Sequence, residues 1–142
     1  HMSTTRLQLA HALSEHYHVG QFYGGNRNYF HYHILGVVNQ LKVHEVTEDI
    51  LIVAYLHDIV EDTSCTIETV KSLFGEGIAH AVLAITKVQD ESKNVYLARV
   101  AKNKLARVVK LHDTLFNISN CLKDKNMKKY NEYLESLPYL KV

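Results

Sequence analysis

The chain has 142 residues, 46% of them hydrophobic, and a formal charge of +1. That is enough apolar material for one compact core, and too little net charge to draw the chain onto nucleic acid. The longest apolar run, residues 50–56, has seven residues, far short of the roughly 18–20 that span a bilayer. His1-Met2 reads as the remnant of an expression tag and no secretory signal pattern follows, so a single domain over residues 3–142 is expected. Cys65 and Cys121 lie far apart and fit neither a zinc knuckle nor a disulfide framework. A reducing, cytoplasmic setting follows from that.

The chain has one proline, Pro138, and three of its six glycines fall within residues 20–25. So few breakers predict an all-α fold. Residues 4–17 read as a helix with Leu7, Ala10, Leu13 and Tyr17 on one side. Residues 19–28, rich in glycine and asparagine, read as a loop. Residues 30–41 form a short helix carrying Ile34, Val37, Val38 and Leu41. Thr47 caps the next helix, with Glu48 and Asp49 in its favourable first turn, and that helix runs to about Val60. Thr66 caps another, which Gly75 ends. Residues 77–87 give a further helix. Residues 94–122 give one or two, broken near Asn103, and residues 125–137 close the chain. The sum is seven or eight helices and no convincing strand.

Chemistry concentrates after the apolar run. Residues 50–56 are apolar almost all round, which places their helix in the middle of a bundle. Four ionisable groups then appear within six positions: His57, Asp58, Glu61 and Asp62. On a helix their i,i+3 and i,i+4 spacings set them side by side. Like charges so placed destabilise a helix, and acids at a helix C-terminus oppose its dipole. A divalent cation reverses the sign of that problem. The bland alternative is that the helix has ended and the acids face water. Further candidate ligands stand beside core-type residues elsewhere: His31 and His33 before one helix, His112 and Asp113 after Val108-Val109-Lys110-Leu111. Two imidazoles and two carboxylates suit Mn, Fe, Zn or Ni, the oxygens leaning toward Mn. Residues 92–112 carry six basic side chains and no acid. They read as a solvated helix face, or in part as a surface that meets an anionic small molecule.

The segment His57-Asp58-Ile59-Val60-Glu61-Asp62-Thr63 resembles the His-Asp-x-x-Glu-Asp-Thr core of the RelA/SpoT-type HD hydrolases. The resemblance continues through Thr66-Ile67-Glu68, Leu73-Phe74-Gly75, Ala84-Ile85-Thr86-Lys87 and the stretch from Val109 to Asn117, and begins at His18-x-Gly20-Gln21. It covers about residues 17–120 and is nearest in form to the stand-alone small alarmone hydrolases of the stringent response. It implies an HD-domain helical bundle that removes the 3′-pyrophosphate of guanosine tetra- and pentaphosphate. By the same resemblance His33, His57, Asp58 and Asp113 hold one Mn²⁺, Glu61 and Asp62 carry the acid–base work, and Asn117 lies beside the substrate. The family's Arg-Lys pair after Gly20-Gln21 is replaced by Phe22-Tyr23-Gly24-Gly25. The spacing from Gln21 to His33 is one residue longer than the family's.

Lys87, Arg107 and Lys110 are candidates for phosphate contacts, and Arg27 is a candidate replacement for the missing cation. Tyr23, Tyr29, Phe30 and Tyr32 crowd the approach to His33. They either pack the bundle, or one of them, Tyr23 first, stacks on a nucleobase. The expected partner is a small-molecule nucleotide, with no nucleic acid and no membrane; the sequence is silent on oligomeric state. Two rival readings stay open. One is the same metal chemistry on another nucleotide, such as NADPH or a nucleoside triphosphate. The other is a non-catalytic nucleotide-binding relative, which has no need of both Glu61 and Asp62.

Overall fold

The computed structural model describes residues 5–141. Their elements are α1 (Arg6–Tyr17), a hairpin of β1 (Phe22–Tyr23) and β2 (Arg27–Asn28), a π-helical turn (Tyr29–Ile34) running straight into α2 (Leu35–Lys42), then α3 (Glu48–Leu56), α4 (Ile59–Asp62), α5 (Ile67–Phe74), α6 (Glu76–Ile85), α7 (Lys93–Lys102), α8 (Lys104–Lys123) and α9 (Met127–Leu140). The fold is all-α, as the shortage of breakers predicts. The expected start of α1 at Thr4 lies outside the described residues, and Thr5 caps the helix in a reciprocal box with Gln8.

The helix starts follow from side-chain caps. Thr47, Thr66, Ser92, Asn103 and Asn126 each accept the backbone N–H three residues on, at 3.0–3.3 Å. Gly75 ends α5 with φ 94°, in the left-handed region. Asn103 is extended, so α7 and α8 are separate helices. The apolar helix α3 sits at the centre, packed against α1, α2, α6 and α8. Ile52, Val53, Ala54 and Leu56 on it are fully buried. Arg99, from the basic stretch, turns inward and donates to the carbonyls of Ala84 (3.2 Å) and Thr86 (2.9 Å) at the end of α6. Among the described residues no helix is long and apolar enough to cross a membrane.

Four local features differ from the sequence expectation. Residues 19–28 are not wholly loop: Phe22 pairs with Asn28 and Tyr23 with Arg27 in a small antiparallel hairpin. Its turn has Gly24 at φ 58°, where a Cβ would come within 2.2 Å of the Arg27 guanidinium. The helix after it opens with a π-turn, in which the Leu35 N–H reaches the Phe30 carbonyl, an i→i+5 bond. A π-turn takes one more residue per turn than an α-helix, so His33 sits on a widened turn. The helix begun at Thr47 does not run unbroken to Val60. It stops at Leu56, Asp58 takes φ −107° and ψ 0°, and a four-residue α4 follows. The closing helix starts and ends later than residues 125–137, with Pro138 inside its last turns.

Asn103→Ala removes the cap of the longest helix and is expected to lower unfolding stability by about 1 kcal/mol. Denaturant titration of the two proteins measures it.

Candidate metal centre

The break between α3 and α4 sets the geometry. His57 closes α3, and its Nδ1 lies 2.7 Å from the Ala54 carbonyl. A carbonyl only accepts, so Nδ1 carries the proton and Nε2 points the other way. Nε2 is buried and without a hydrogen-bond partner. It lies 3.1 Å from Asp58 Oδ2 and 3.3 Å from Asp113 Oδ1. His33, from the π-turn, brings Nε2 to 2.8 Å from the same Asp113 oxygen and 3.8 Å from Asp58 Oδ2. One donor atom each from His33, His57 and Asp58 lies within 4.8 Å of the others. Three separate elements thus converge: the π-turn, the α3–α4 junction and α8.

The electrostatics of this cluster are those of a site that wants positive charge. Burial pulls the His57 imidazole down, but Asp58 and Asp113 outweigh it and hold it well above its ordinary value. Burial raises Asp58, and His57 beside it brings it below the usual carboxylate range. Burial likewise raises Asp113, but the Lys110 ammonium and the two imidazoles beside it take it far below. Lys110 Nζ sits 3.1 Å from Asp113 Oδ2. The donor set, and the orphaned Nε2 of His57 with its tautomer fixed from behind, fit a divalent cation.

Glu61 and Asp62 follow one turn later on α4. Glu61 Oε1 accepts the Lys87 backbone N–H at 2.8 Å. Burial, then the charges of Asp58 and Glu61, raise the Asp62 carboxyl to about 6. Three side chains that were not among the candidate ligands or acid–base groups hold this region. Tyr29 donates its hydroxyl to Asp58 Oδ2. Gln21 Nε2 donates to the Asp62 carbonyl at 2.8 Å, and Gln21 Oε1 lies 2.7 Å from Nδ1 of the buried His18. The one sequence signal for them was the His18-x-Gly20-Gln21 entry, whose partner on α4 is 41 residues away in the chain.

The family model described as HD domain matches residues 10–112. The chain belongs to the HD domain family. Its relatives include guanosine-3′,5′-bis(diphosphate) 3′-pyrophosphohydrolase MESH1 of Drosophila melanogaster, 33% identical over 93 residues, 61% of this chain and 52% of that protein. Another is the guanosine-3′,5′-bis(diphosphate) 3′-pyrophosphohydrolase of Spiroplasma citri, 32% identical over 123 residues, 79% of this chain and 16% of that one. The chain therefore spans about half the length of the first relative and a small part of the second. A solved structure of a metazoan ortholog of SpoT, described as hydrolysing ppGpp, has the same fold, with TM-score 0.83 over 99% of this chain and 88% of that one at 21% identity.

Within the HD domain the remaining candidates divide. Tyr23 stacks flat on His33, with ring centroids 5.0 Å apart and planes 10° off, and donates its hydroxyl to Asn117 Oδ1 at 2.7 Å. Tyr23 and Asn117 are thus together, beside the cluster. Lys87 and Lys110, with Lys93 and Lys129, line a cavity of about 280 Å³. Arg27 pairs with Asp124 at 2.8 Å and lies over the rings of Tyr32 and Tyr23, at 4.7 and 5.5 Å. Arg107 reaches back to the Ala101 carbonyl at 3.5 Å, at the α7–α8 junction.

The raised Asp62 carboxyl has a consequence for stability. The folded state keeps its proton up to about pH 6, while the unfolded chain gives it up near 4. Its favourable contribution is therefore present at low pH and lost as pH rises through 6. Asp62→Asn is expected to raise the melting temperature of the metal-free protein at pH 8 and leave it unchanged at pH 4, read by thermal melts in chelator.

Proposed function

We propose that this HD domain is a cytoplasmic, Mn²⁺-dependent hydrolase of nucleoside 3′-pyrophosphates, with guanosine 3′,5′-bis(diphosphate) and its pentaphosphate as substrates and pyrophosphate as product. The observation that carries the reading is the orphaned Nε2 of His57 held between Asp58 and Asp113, with the Glu61-Asp62 pair one turn away. The names of the Drosophila and Spiroplasma relatives supply the substrate.

His33, His57, Asp58 and Asp113 would hold the ion. When bound, it supplies Lewis acidity toward a phosphoryl oxygen and a more acidic water. Asp62, a carboxylate one turn from the ligands, takes the proton of the attacking water at a carboxylate oxygen. Glu61, fixed by the Lys87 N–H, orients that water. Lys110 keeps Asp113 ionised and in place. The lysines of the neighbouring cavity meet the phosphate charge. Tyr23 and Asn117 receive the nucleoside, the ring of Tyr23 offering a π-face in place of the family's Arg-Lys pair.

Purified protein with Mn²⁺ is offered guanosine 3′-pyrophosphates, NADPH and nucleoside triphosphates, with pyrophosphate and orthophosphate assayed separately. Pyrophosphate release from the guanosine 3′-pyrophosphates alone is expected, abolished in the double variant His57→Ala, Asp58→Ala. Asp62→Asn is expected to lower kcat about 10²- to 10⁴-fold. Turnover no faster than in the double variant would overturn the reading. So would orthophosphate as the sole product.

A further inference from the structure

The carbonyls that end α6, from Val82 to Ile85, find no partner within the helix, and each is met from outside it. The Thr86 hydroxyl donates to Val82 at 2.7 Å and the Thr86 N–H to Leu83 at 3.2 Å. From α7, Arg99 Nε donates to Ala84 at 3.2 Å and the Tyr96 hydroxyl to Ile85 at 2.6 Å. The helix end is then satisfied. Arg99 makes a further contact that the helix does not require. Its Nη2 donates to the Thr86 carbonyl at 2.9 Å, past the last residue of α6. Nη1 of the same guanidinium pairs with Glu91, only 9% exposed, whose other oxygen accepts the Val88 N–H at 3.1 Å. The segment after α6 is thus gripped at both ends by one side chain.

The further contact falls on a peptide unit that matters to the buried cluster. The Thr86 carbonyl and the Lys87 N–H belong to one planar trans unit, so they point in opposite directions. The Lys87 N–H is the donor that reaches Glu61 Oε1 at 2.8 Å. Any rotation of the unit that frees it from the guanidinium also swings that N–H away from Glu61. The guanidinium charge polarises the amide as well, which strengthens the donor at the far side. Glu61 is exposed and stands on the four-residue α4. Water competes for such a carboxylate, so a donor aimed in advance decides where it rests.

We propose that Arg99 is a positioning residue for the hydrolysis: it sets the Glu61 carboxylate through the Thr86–Lys87 peptide and does not touch the substrate. The inference rests on the role given to Glu61 above. Lysine is a poor replacement, because a single ammonium cannot span Ala84, Thr86 and Glu91 as the planar guanidinium does.

Two measurements on the full chain test this. Without substrate, the Lys87 amide is followed by NMR. Arg99→Gln and the milder Arg99→Lys are each expected to shift its resonance and speed its exchange with solvent, as Glu61→Ala does. With Mn²⁺ and the nucleotide that the parent turns over, Arg99→Gln is expected to lower kcat roughly 10- to 100-fold, the size of loss a small misplacement produces. KM is expected to change little, since the Lys87 side chain keeps its flexible reach. Arg99→Lys is expected to recover part of kcat. The losses from Arg99→Gln and Glu61→Ala are expected not to add in the double variant. Fully additive losses, or a Lys87 amide unmoved in both Arg99 variants, would refute the coupling. The amide signal needs no turnover, so a chain that hydrolysed none of the nucleotides would refute the proposed function while the Lys87 resonance still decided whether Arg99 positions Glu61.

Discussion

Two carboxylates and two imidazoles brought together where water is scarce demand a compensating positive charge, and much of the structure answers that demand. Asp113 is 4% exposed and His33 and His57 less. Leaving such a carboxylate unpaired costs several kcal/mol. Lys110 answers on one side of Asp113, and the imidazoles answer on the other. In the metal-free chain a proton on His57 stands where a cation belongs, so protons and metal compete for one place. The apolar helix α3 makes this arrangement possible. Its flat, fully buried packing against α1, α2, α6 and α8 fixes where His57 emerges, with no freedom left to relax the crowding.

The break at Asp58 is the second consequence. Had the helix continued, His57, Asp58, Glu61 and Asp62 would spread over one helical surface with their charges pointing outward. Turning the chain at φ −107°, ψ 0° lets Asp58 fold back toward His57. It also sends Glu61 and Asp62 onto a short helix of their own. That helix has too few residues to be stable alone. Gln21 ties its last carbonyl to His18 and α1, and the Lys87 N–H ties down Glu61. Glu61 and Asp62 are thus held by contacts from distant parts of the chain, where their own helix could not hold them.

What the sequence made legible was residue type and burial. Thr47, Thr66 and Asn103 announce helix starts because a cap is a local hydrogen bond, and the apolar run 50–56 announces the centre because burial follows composition. His57-Asp58 beside core residues announces a polar cluster, since such groups are not buried singly. The α3–α4 break stayed hidden because the helical period runs on through it; the turn is set by the cluster, which is tertiary. The π-turn stayed hidden because no local pattern says where a helix will widen. The hairpin escaped because two-residue strands carry no alternation to detect. Arg27 and Arg107 were unreadable for a simpler reason. Any arginine can serve an anion, and only the fold says that Arg27 has Asp124 and that Arg107 has the end of α7.

The two halves of the site rest on different kinds of structure, and that bears on how such a domain can change substrate. Three of the four candidate ligands sit on or beside the regular helices α3 and α8, and their positions are over-determined by packing. The other side is a hairpin with a glycine turn and a widened helical turn, packed through tyrosines: Tyr23 on His33 and Asn117, Tyr29 on Asp58, Tyr32 on Asn120. Each of these rings carries an apolar body that packs and a hydroxyl that satisfies a buried polar group. A loop built this way can exchange its residues without moving α3 or α8. The ring of Tyr23 does double duty: it covers one face of His33, and its hydroxyl reaches Asn117 on α8. One side chain thus couples the hairpin to both the π-turn and α8, so an exchange at this position loosens the hairpin side while the packing that fixes His57 and Asp113 stays in place.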